Sequence, residues 1–194
     1  MRKLIVSMNI TLDGYLSGPD CELDWHFNYW TNEMGEALCS QLAQADTILL
    51  GRVTYNAMAN YWPSKIADPC CRAEEFAFAN MMNCYSKIVF SKTLRSVEWQ
   101  NTELTSGNAE KKIIKLKQQP GKNIIIYGSA ALAADLTQSH LIDECHLWLH
   151  PVVLGGGKSF FKSLPKNQHW KLEQSNVFLS GVVMLRYSCL CNNQ

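Results

Sequence analysis

The sequence lacks both a long apolar run and an excess of charge of one sign. No stretch of its 194 residues reaches the ~18 apolar residues that a membrane-spanning helix needs. The 18 Lys and Arg residues nearly balance the 17 Asp and Glu residues, which leaves a net charge of +1. This balance provides no general field that would attract nucleic acid or a membrane surface. We therefore expect neither of these partners, and a small molecule as the ligand.

Export signals and metal-ligand patterns are also missing. The apolar run that begins at Leu4 is interrupted at Ser7 and Asn9, too early for the core of a secretory signal. We therefore predict a cytoplasmic location, where the eight cysteines would be reduced. The cysteines include no C-x-x-C pair, so we expect no zinc site and no other metal.

The chain does contain a regular alternation of strand and helix patterns within a composition that is 47% apolar. The predicted strands cover residues 3–8, 47–50, 87–90, 123–127, 142–153, 169–177 and 181–187, and the predicted helices 31–45, 51–61, 72–82, 108–119 and 130–139. Pro63 is expected to stop the second helix. This order predicts a single α/β domain over residues 1–194, with a mixed, mainly parallel sheet between helices and an antiparallel hairpin at the C-terminus.

Three short matches to catalytic motifs are interpreted as chance. Ser159 with Lys162 and Ser163 with Lys166 both fit S-x-x-K, but the companion motifs of that enzyme class do not occur. The glycine triplet that ends at Gly157 resembles the end of a phosphate-binding P-loop. Val152 stands where that loop requires a further glycine, so we reject the match.

Two histidines four residues apart lie in a segment with a strand pattern. On a helix, His146 and His150 could share a metal ion, but on a strand residues four apart are separated by about 13 Å. We interpret His146, Trp148 and His150 as lining one side of the sheet, with the histidines at the surface or in an interface.

Three predicted strand ends carry residues that suit phosphate groups. Gly51 and Arg52 follow one strand and open a helix, where backbone N–H groups and a guanidinium can bind an anion. Gly128 and Ser129 open another helix, and Ser91-Lys92 follow a third strand. Because ligands of parallel sheets bind beyond the carboxyl ends of the strands, these three sites together predict a nucleotide cofactor with several phosphates.

Several of these segments resemble the dihydrofolate reductase family. Residues 49–55 (LLGRVTY) resemble its G-R-x-T-[WY] motif, and residues 87–92 (KIVFSK) are similar to the strand that follows it. Residues 126–132 (IYGSAAL) occupy the place of the glycine-rich cofactor turn. Residues 7–15 (SMNITLDGY) and 151–157 (PVVLGGG) resemble a bacterial branch, related to the reductase domain of the bifunctional riboflavin-biosynthesis deaminase-reductase. The resemblance extends from about Arg2 to Ser188.

The resemblance implies a dihydrofolate-reductase-like fold and an NADPH-dependent reductase. The implied cofactor-binding residues are Gly51, Arg52, Thr54, Ser91, Lys92, Gly128, Ser129, Ala130, Ala131 and Leu132. Among them, Arg52 and Thr54 would contact phosphates, Ser91 and Lys92 would lie near the adenosine 2′-phosphate, and residues 128–132 would hold the pyrophosphate. The two cations would favour NADPH over NADH.

The substrate implied by the resemblance is a small heterocycle, either a riboflavin precursor of the 5-amino-6-(5-phosphoribosylamino)uracil type or a pterin such as dihydrofolate. The catalytic candidates are Asp13, which would orient the substrate or a water, and Glu33 in the first helix. An alternative is a catalytically inactive protein that binds a nucleotide and senses NADPH. A homodimer formed through the strand that carries Trp148 is a further hypothesis.

Overall fold

The structure is a computed structural model that describes residues 1–160 and 167–190. The two S-x-x-K matches extend into residues 161–166 and therefore fall outside the described part of the chain. The strands are β1 (Leu4–Thr11), β2 (Tyr15–Ser17), β3 (Ala45–Gly51), β4 (Ser86–Phe90), β5 (Thr102–Thr105), β6 (Asn123–Tyr127), β7 (Glu144–His150), β8 (Lys158–Ser159), β9 (Trp170–Val177) and β10 (Val183–Cys189). The α-helices are α1 (Asn32–Leu42), α2 (Arg52–Lys65), α3 (Ala73–Cys84), α4 (Ala109–Gln118) and α5 (Ala130–Gln138), and a 3-10 helix covers Asp24–Tyr29.

Eight strands form one twisted sheet in the order β5-β4-β3-β6-β1-β7-β10-β9. All pairs from β5 to β7 are parallel, whereas β10 is antiparallel to both β7 and β9. This confirms the predicted mixed, mainly parallel sheet with an antiparallel C-terminal hairpin. Because the parallel strands share a direction, their carboxyl ends meet along one edge of the sheet, where ligands of such sheets bind.

Apolar side chains cover both faces of the sheet, which explains why central strands such as β6 consist mainly of apolar residues. On one face α1, α2 and α3 pack through residues such as Leu38, Trp62 and Met82. On the other face α4 and α5 pack through residues such as Ile113 and Leu136. The three-layer arrangement holds the strand ends and the helix starts in fixed positions.

One helix differs from the prediction at its end. The sequence predicts that α2 stops before Pro63, but the helix continues through Pro63 to Lys65. Trp62 is buried against Phe78 of α3, with 5.0 Å between the ring centroids. The carbonyl oxygen of Trp62 accepts a hydrogen bond of 3.0 Å from Asn83 Nδ2. Tertiary packing thus holds this last turn despite the proline.

The prediction also missed three short strands. The edge strand β5 has only four residues and no apolar alternation, so it becomes a strand only by pairing with β4. The pair β2 and β8 forms a small separate sheet that joins the loop after β1 to the segment after β7. Pairing between distant segments creates these strands, and local sequence carries little sign of it.

The predicted surface position of the β7 histidines is wrong. β7 lies inside the sheet between β1 and β10, and the exposed fractions of His146, Trp148 and His150 are 7%, 1% and 0%. The C-terminal hairpin covers this strand, so Trp148 does not lie on an exposed edge. The homodimer stays a prediction without the support of that residue.

Within residues 1–160 and 167–190, no helix is long and apolar enough to cross a membrane. The same residues contain no cluster of three or more His, Cys, Asp or Glu side chains that could hold a metal ion.

Candidate active site

A cavity of about 1380 Å³ lies at the carboxyl ends of β1, β3, β4 and β6. All of the predicted cofactor-binding residues line it: Gly51, Arg52, Thr54, Ser91, Lys92, Gly128, Ser129, Ala130, Ala131 and Leu132. They come from three chain segments that are separated by dozens of residues. The fold therefore brings the three phosphate-friendly strand ends together, and we call this part of the wall the phosphate end.

The junction between β3 and α2 presents an open helix start. The cap residue Gly51 has no side chain that could accept a hydrogen bond from the first turn, so the first N–H groups of α2 are open to a ligand. Arg52 is exposed, and no hydrogen bond or ion pair joins its guanidinium to another described residue. A cation beside open N–H groups at a positive helix end is a suitable site for phosphate.

The junction between β6 and α5 is locked to the first one. Gly128 and Ser129 both have φ of +60°, a conformation that brings the turn against α2. Gly51 N–H donates to Ser129 Oγ at 2.6 Å, and both the N–H and the hydroxyl of Ser129 donate to Thr54 Oγ1 at 3.0 Å. A Cβ atom at position 128 would lie 3.0 Å from Thr54 Oγ1. The glycine is required here because the two helix starts are in contact.

The hydrogen bonds of Thr54 leave its hydroxyl hydrogen available. Its oxygen accepts two hydrogen bonds from Ser129, and no acceptor for the hydroxyl hydrogen is found among the described residues. Near the third strand end, Ser91 Oγ accepts hydrogen bonds from the N–H groups of Thr93 and Leu94, which holds the turn that exposes Lys92. The phosphate end thus offers hydroxyl, backbone and cationic donors.

Neither predicted catalytic acid is among the described residues that line the cavity. The Asp13 carboxylate accepts hydrogen bonds from Thr11 Oγ1 at 2.5 Å and from the N–H group of Gly155 at 2.7 Å. The hydrogen bond from Thr11 and the backbone hydrogen bonds from Gly155 and Leu154 lower the pKa of Asp13, although desolvation opposes them. The acid therefore joins the loop after β1 to the loop after β7. Glu33 lies exposed in the first turn of α1.

An acid that the sequence analysis missed does line the cavity. Glu74 comes from α3, and its Oε1 atom is buried without a hydrogen-bond partner among the described residues. Its Cγ atom would lie 2.8 Å from a Cβ atom at position 35 of α1, so Gly35 makes room for it. The sequence offered no signal for this acid, because α1 and α3 meet only in the fold.

The neighbouring acid Glu75 is held in its charged form. Burial raises the pKa of Glu75, but hydrogen bonds from Tyr61 and Lys65 outweigh it and lower the pKa overall. Tyr61 Oη donates to Glu75 Oε1 at 2.8 Å, and Lys65 Nζ lies 3.2 Å from the same atom. Glu75 is therefore engaged with α2, whereas Glu74 presents an unpaired oxygen.

Ser7, Asn9 and Trp148 of the sheet also line the cavity, and we call this part of its wall the floor. Ser7 and Asn9 interrupt the apolar residues of strand β1, and that interruption was the available sequence signal for them. Aromatic residues of and next to the 3-10 helix, His26, Phe27 and Trp30, line the same cavity. A planar ring could bind between this floor and these side chains.

The similarity of this chain to known proteins identifies its family. The family model named RibD C-terminal domain matches residues 2–184. The chain belongs to the RibD C-terminal domain family. The uncharacterized protein YyaP of Bacillus subtilis (strain 168) is 34% identical over 186 residues, which are 96% of this chain and 94% of YyaP.

Two solved structures show the same fold at low sequence identity. One is a diaminohydroxyphosphoribosylaminopyrimidine deaminase/5-amino-6-(5-phosphoribosylamino)uracil reductase of Thermotoga maritima, with a TM-score of 0.68 and 13% identity. The alignment covers 97% of this chain and 56% of that one. The other is dihydrofolate reductase of Enterococcus faecalis in complex with NADP(H), with a TM-score of 0.62, 14% identity and coverage of 97% and 96%. The predicted family and the dihydrofolate-reductase-like fold are thereby confirmed.

Proposed function

We propose that this member of the RibD C-terminal domain family is an NADPH-dependent oxidoreductase that reduces a small heterocycle. The candidate substrates are a riboflavin precursor of the 5-amino-6-(5-phosphoribosylamino)uracil type and a pterin such as dihydrofolate. The observation that carries the proposal is the convergence of three separate strand ends on one cavity, with every predicted cofactor residue in its wall.

The donor set of the phosphate end fits a phosphorylated dinucleotide. The N-termini of α2 and α5 both lack side-chain caps, so their N–H groups would bind the pyrophosphate. Arg52 and the hydroxyl of Thr54 would contact the phosphates, and Lys92 would bind the adenosine 2′-phosphate that distinguishes NADPH from NADH. When bound, NADPH supplies the hydride for the reduction.

The protein itself must hold the substrate, exclude water and provide a proton. Reduction of a C=N or C=O bond adds a hydride to carbon and a proton to nitrogen or oxygen. Glu74 is the proposed source of that proton, because its Oε1 atom is buried beside the cavity and has no partner among the described residues. Arg72 also lines the cavity and would pair with the phosphate of a ribosylamino-pyrimidine, which a pterin lacks.

The proposal is tested first by binding. Three of the six tryptophans, Trp30, Trp62 and Trp148, line the cavity, so quenching of tryptophan fluorescence reports occupancy. We expect NADPH to bind more tightly than NADH. Absence of binding by both would overturn the proposal.

Turnover is then followed by loss of NADPH absorbance with the ribosylamino-pyrimidine and with dihydrofolate. We expect Glu74→Gln to bind NADPH like the wild type but to lower kcat at least ~100-fold, the usual scale for loss of a general acid. Tight NADPH binding without turnover of either substrate would favour the alternative of an inactive protein that senses NADPH.

A further inference from the structure

The floor of the cavity is connected to two buried histidines of the neighbouring strand. Ser7 and Asn9 lie two residues apart on β1 and therefore on the same face of the sheet, separated by about 6.8 Å along the strand. Ser7 reaches His146 of β7 through Gln41, and Asn9 contacts His150 directly. The donors and acceptors along these contacts determine what each floor residue can offer to a ligand.

The Glu144 carboxylate fixes which atoms donate and which accept in the hydrogen bonds that lead to Ser7. Hydrogen bonds from His146 and Lys3 lower the pKa of Glu144 to about 2 although burial opposes them, so the group is a carboxylate that only accepts. His146 Nε2 lies 3.0 Å from Glu144 Oε2 and must carry the hydrogen. His146 Nδ1 then accepts from Gln41 Nε2 at 2.5 Å. This contact turns Gln41 Oε1 towards Ser7.

These contacts leave Ser7 as an acceptor. Its hydroxyl donates to Gln41 Oε1 at 2.9 Å, so its hydrogen is already engaged. Its oxygen accepts one hydrogen bond from Trp148 Nε1 at 3.1 Å, and an indole N–H can only donate. A hydroxyl oxygen has two lone pairs. The second lone pair remains for a ligand in the cavity.

Asn9 has the opposite hydrogen-bonding role, because it offers a donor to the cavity. His150 Nε2 lies 3.2 Å from Asn9 Oδ1, and His150 is fully buried. Burial and the nearby His26 lower the pKa of His150 to about 4, so the ring is neutral at pH 7 and carries a single N–H group. That group donates to Asn9 Oδ1, while His150 Nδ1 has no partner among the described residues. The amide NH₂ of Asn9 is then the donor for the cavity.

We propose that His146 and His150 set the polarity of the floor, with Ser7 as acceptor and Asn9 as donor, and that this selects a heterocycle carrying a ring N–H and a carbonyl oxygen. Ser7 and Asn9 are specificity-determining residues, and Gln41, His146 and His150 are positioning residues. The proposal rests on the proposed function, in which a reducible heterocycle occupies the cavity. A uracil ring has the required pair of groups, since its lactam units combine N–H and C=O.

The polarity can be measured without any ligand. Imidazole ¹⁵N chemical shifts, assigned with single His→Gln variants, report which nitrogen carries the hydrogen. At pH 7.5 we expect a hydrogen on Nε2 and none on Nδ1 in both His146 and His150, and the exposed His140 and His169 serve as controls outside the floor. A hydrogen on Nδ1 at either buried position would overturn the proposal.

Recognition is tested with a matched pair of pyrimidines, 5,6-diaminouracil and its 1,3-dimethyl derivative, in which methyl groups replace the ring N–H donors. With NADPH-saturated protein we expect the parent compound to bind about tenfold more tightly, the scale of one hydrogen bond. Ser7→Ala should abolish this preference. Asn9→Ala should weaken both ligands by a similar factor, because both keep their carbonyl groups. Ser188→Ala is the matched control, since that hydroxyl bonds to Glu173 outside the cavity.

The variant Gln41→Leu distinguishes a steric effect of the methyl groups from a hydrogen bond between the ring N–H and Ser7. This variant keeps the Ser7 hydroxyl in place but frees its hydrogen, so we expect a smaller preference for the N–H ligand. A purely steric preference would be unchanged in Gln41→Leu. Equal binding of the two ligands by the wild type, or binding of neither, would overturn the proposal.

The two proposals fail in different ways. If NADPH does not bind, the proposed function fails, and the tautomer measurement together with pyrimidine titrations of the unliganded protein still decides the polarity of the floor. If NADPH binds and is oxidised while Ser7→Ala keeps the wild-type preference, only the inference about the floor fails.

Discussion

The phosphate end and the floor of the cavity are built in different ways. The phosphate end consists of backbone turns and exposed side chains, in which Arg52 and Lys92 carry charge at the surface. The floor consists of side chains that are held by buried hydrogen bonds, as in the contact from Ser7 through Gln41 to His146. The phosphate end is suited to attract charge, and the floor is suited to discriminate between donors and acceptors.

The difference corresponds to the two kinds of selectivity that are proposed above. Attraction between charges does not require a precise orientation of the two groups. Short segments such as Gly51-Arg52 can therefore supply it wherever a strand meets a helix. Discrimination between an N–H and a carbonyl requires that each polar atom has one available role, and burial enforces this because unpaired polar atoms are costly there. Three variants or conditions test this contrast.

The largest effect is expected at the contact between the two helix starts. Gly128→Val places a branched side chain at φ of +60° and against Thr54, which separates the turn from α2. We expect NADPH to bind about 100-fold more weakly, because several charged hydrogen bonds to phosphate are lost together. Fluorescence titration measures the loss. Gly155→Val is the matched control, because Gly155 also has a positive φ of +72° but nothing lies within 4 Å of its added Cβ. A similar loss in both variants would contradict this account of Gly128.

The second effect concerns the floor and depends on pH. The pKa of His150 is about 4 in the folded protein and 6.5 when unperturbed, so the unfolded chain takes up the proton first as pH falls. The free energy of unfolding should therefore decrease between pH 6.5 and 4, by about 2 kcal/mol from pH 7 to pH 5. Burial also lowers the pKa of His26, which adds in the same direction. Urea unfolding at both pH values measures the difference.

The control for the pH effect is a pair of histidine variants. His150→Gln should show a clearly smaller pH dependence than the wild type, with the remainder coming from His26, and His169→Gln should retain the full dependence because His169 is exposed. Equal stability of the wild type at pH 7 and pH 5 would show that the floor does not depend on a neutral buried histidine.

The smallest of the three effects is expected at a single cation of the phosphate end. Arg52→Ala should weaken NADPH binding about tenfold, with a smaller loss for NADH, because Arg52 and Lys92 together attract the additional negative charge that only NADPH carries. Raising the ionic strength should reduce the difference between wild type and variant. Arg95→Ala is the control, since this exposed arginine is outside the described lining of the cavity. Equal losses for both nucleotides would remove the assigned role of Arg52.

The sequence predicted the phosphate end better than the floor. Gly51, Arg52 and Gly128 stand beside apolar strands, and their types are informative within a window of a few residues. The fold class followed from the same alternation, although Pro63 was wrongly expected to end a helix that packing against Phe78 continues. Asp13 and Glu33, the predicted acids, lie outside the described cavity lining, whereas Glu74 reaches it from another helix.

By itself the sequence determined the order of the main strands and helices and the turn chemistry, and it predicted candidate phosphate-binding residues, because each depends on neighbours along the chain. Only the tertiary structure decided that β7 is interior, since its burial requires the hairpin of β9 and β10 on one side and β1 on the other. That position turns His146 and His150 from expected surface residues into buried groups that pair with Gln41 and Asn9. Such pairings join residues more than 100 positions apart, and no local pattern encodes them.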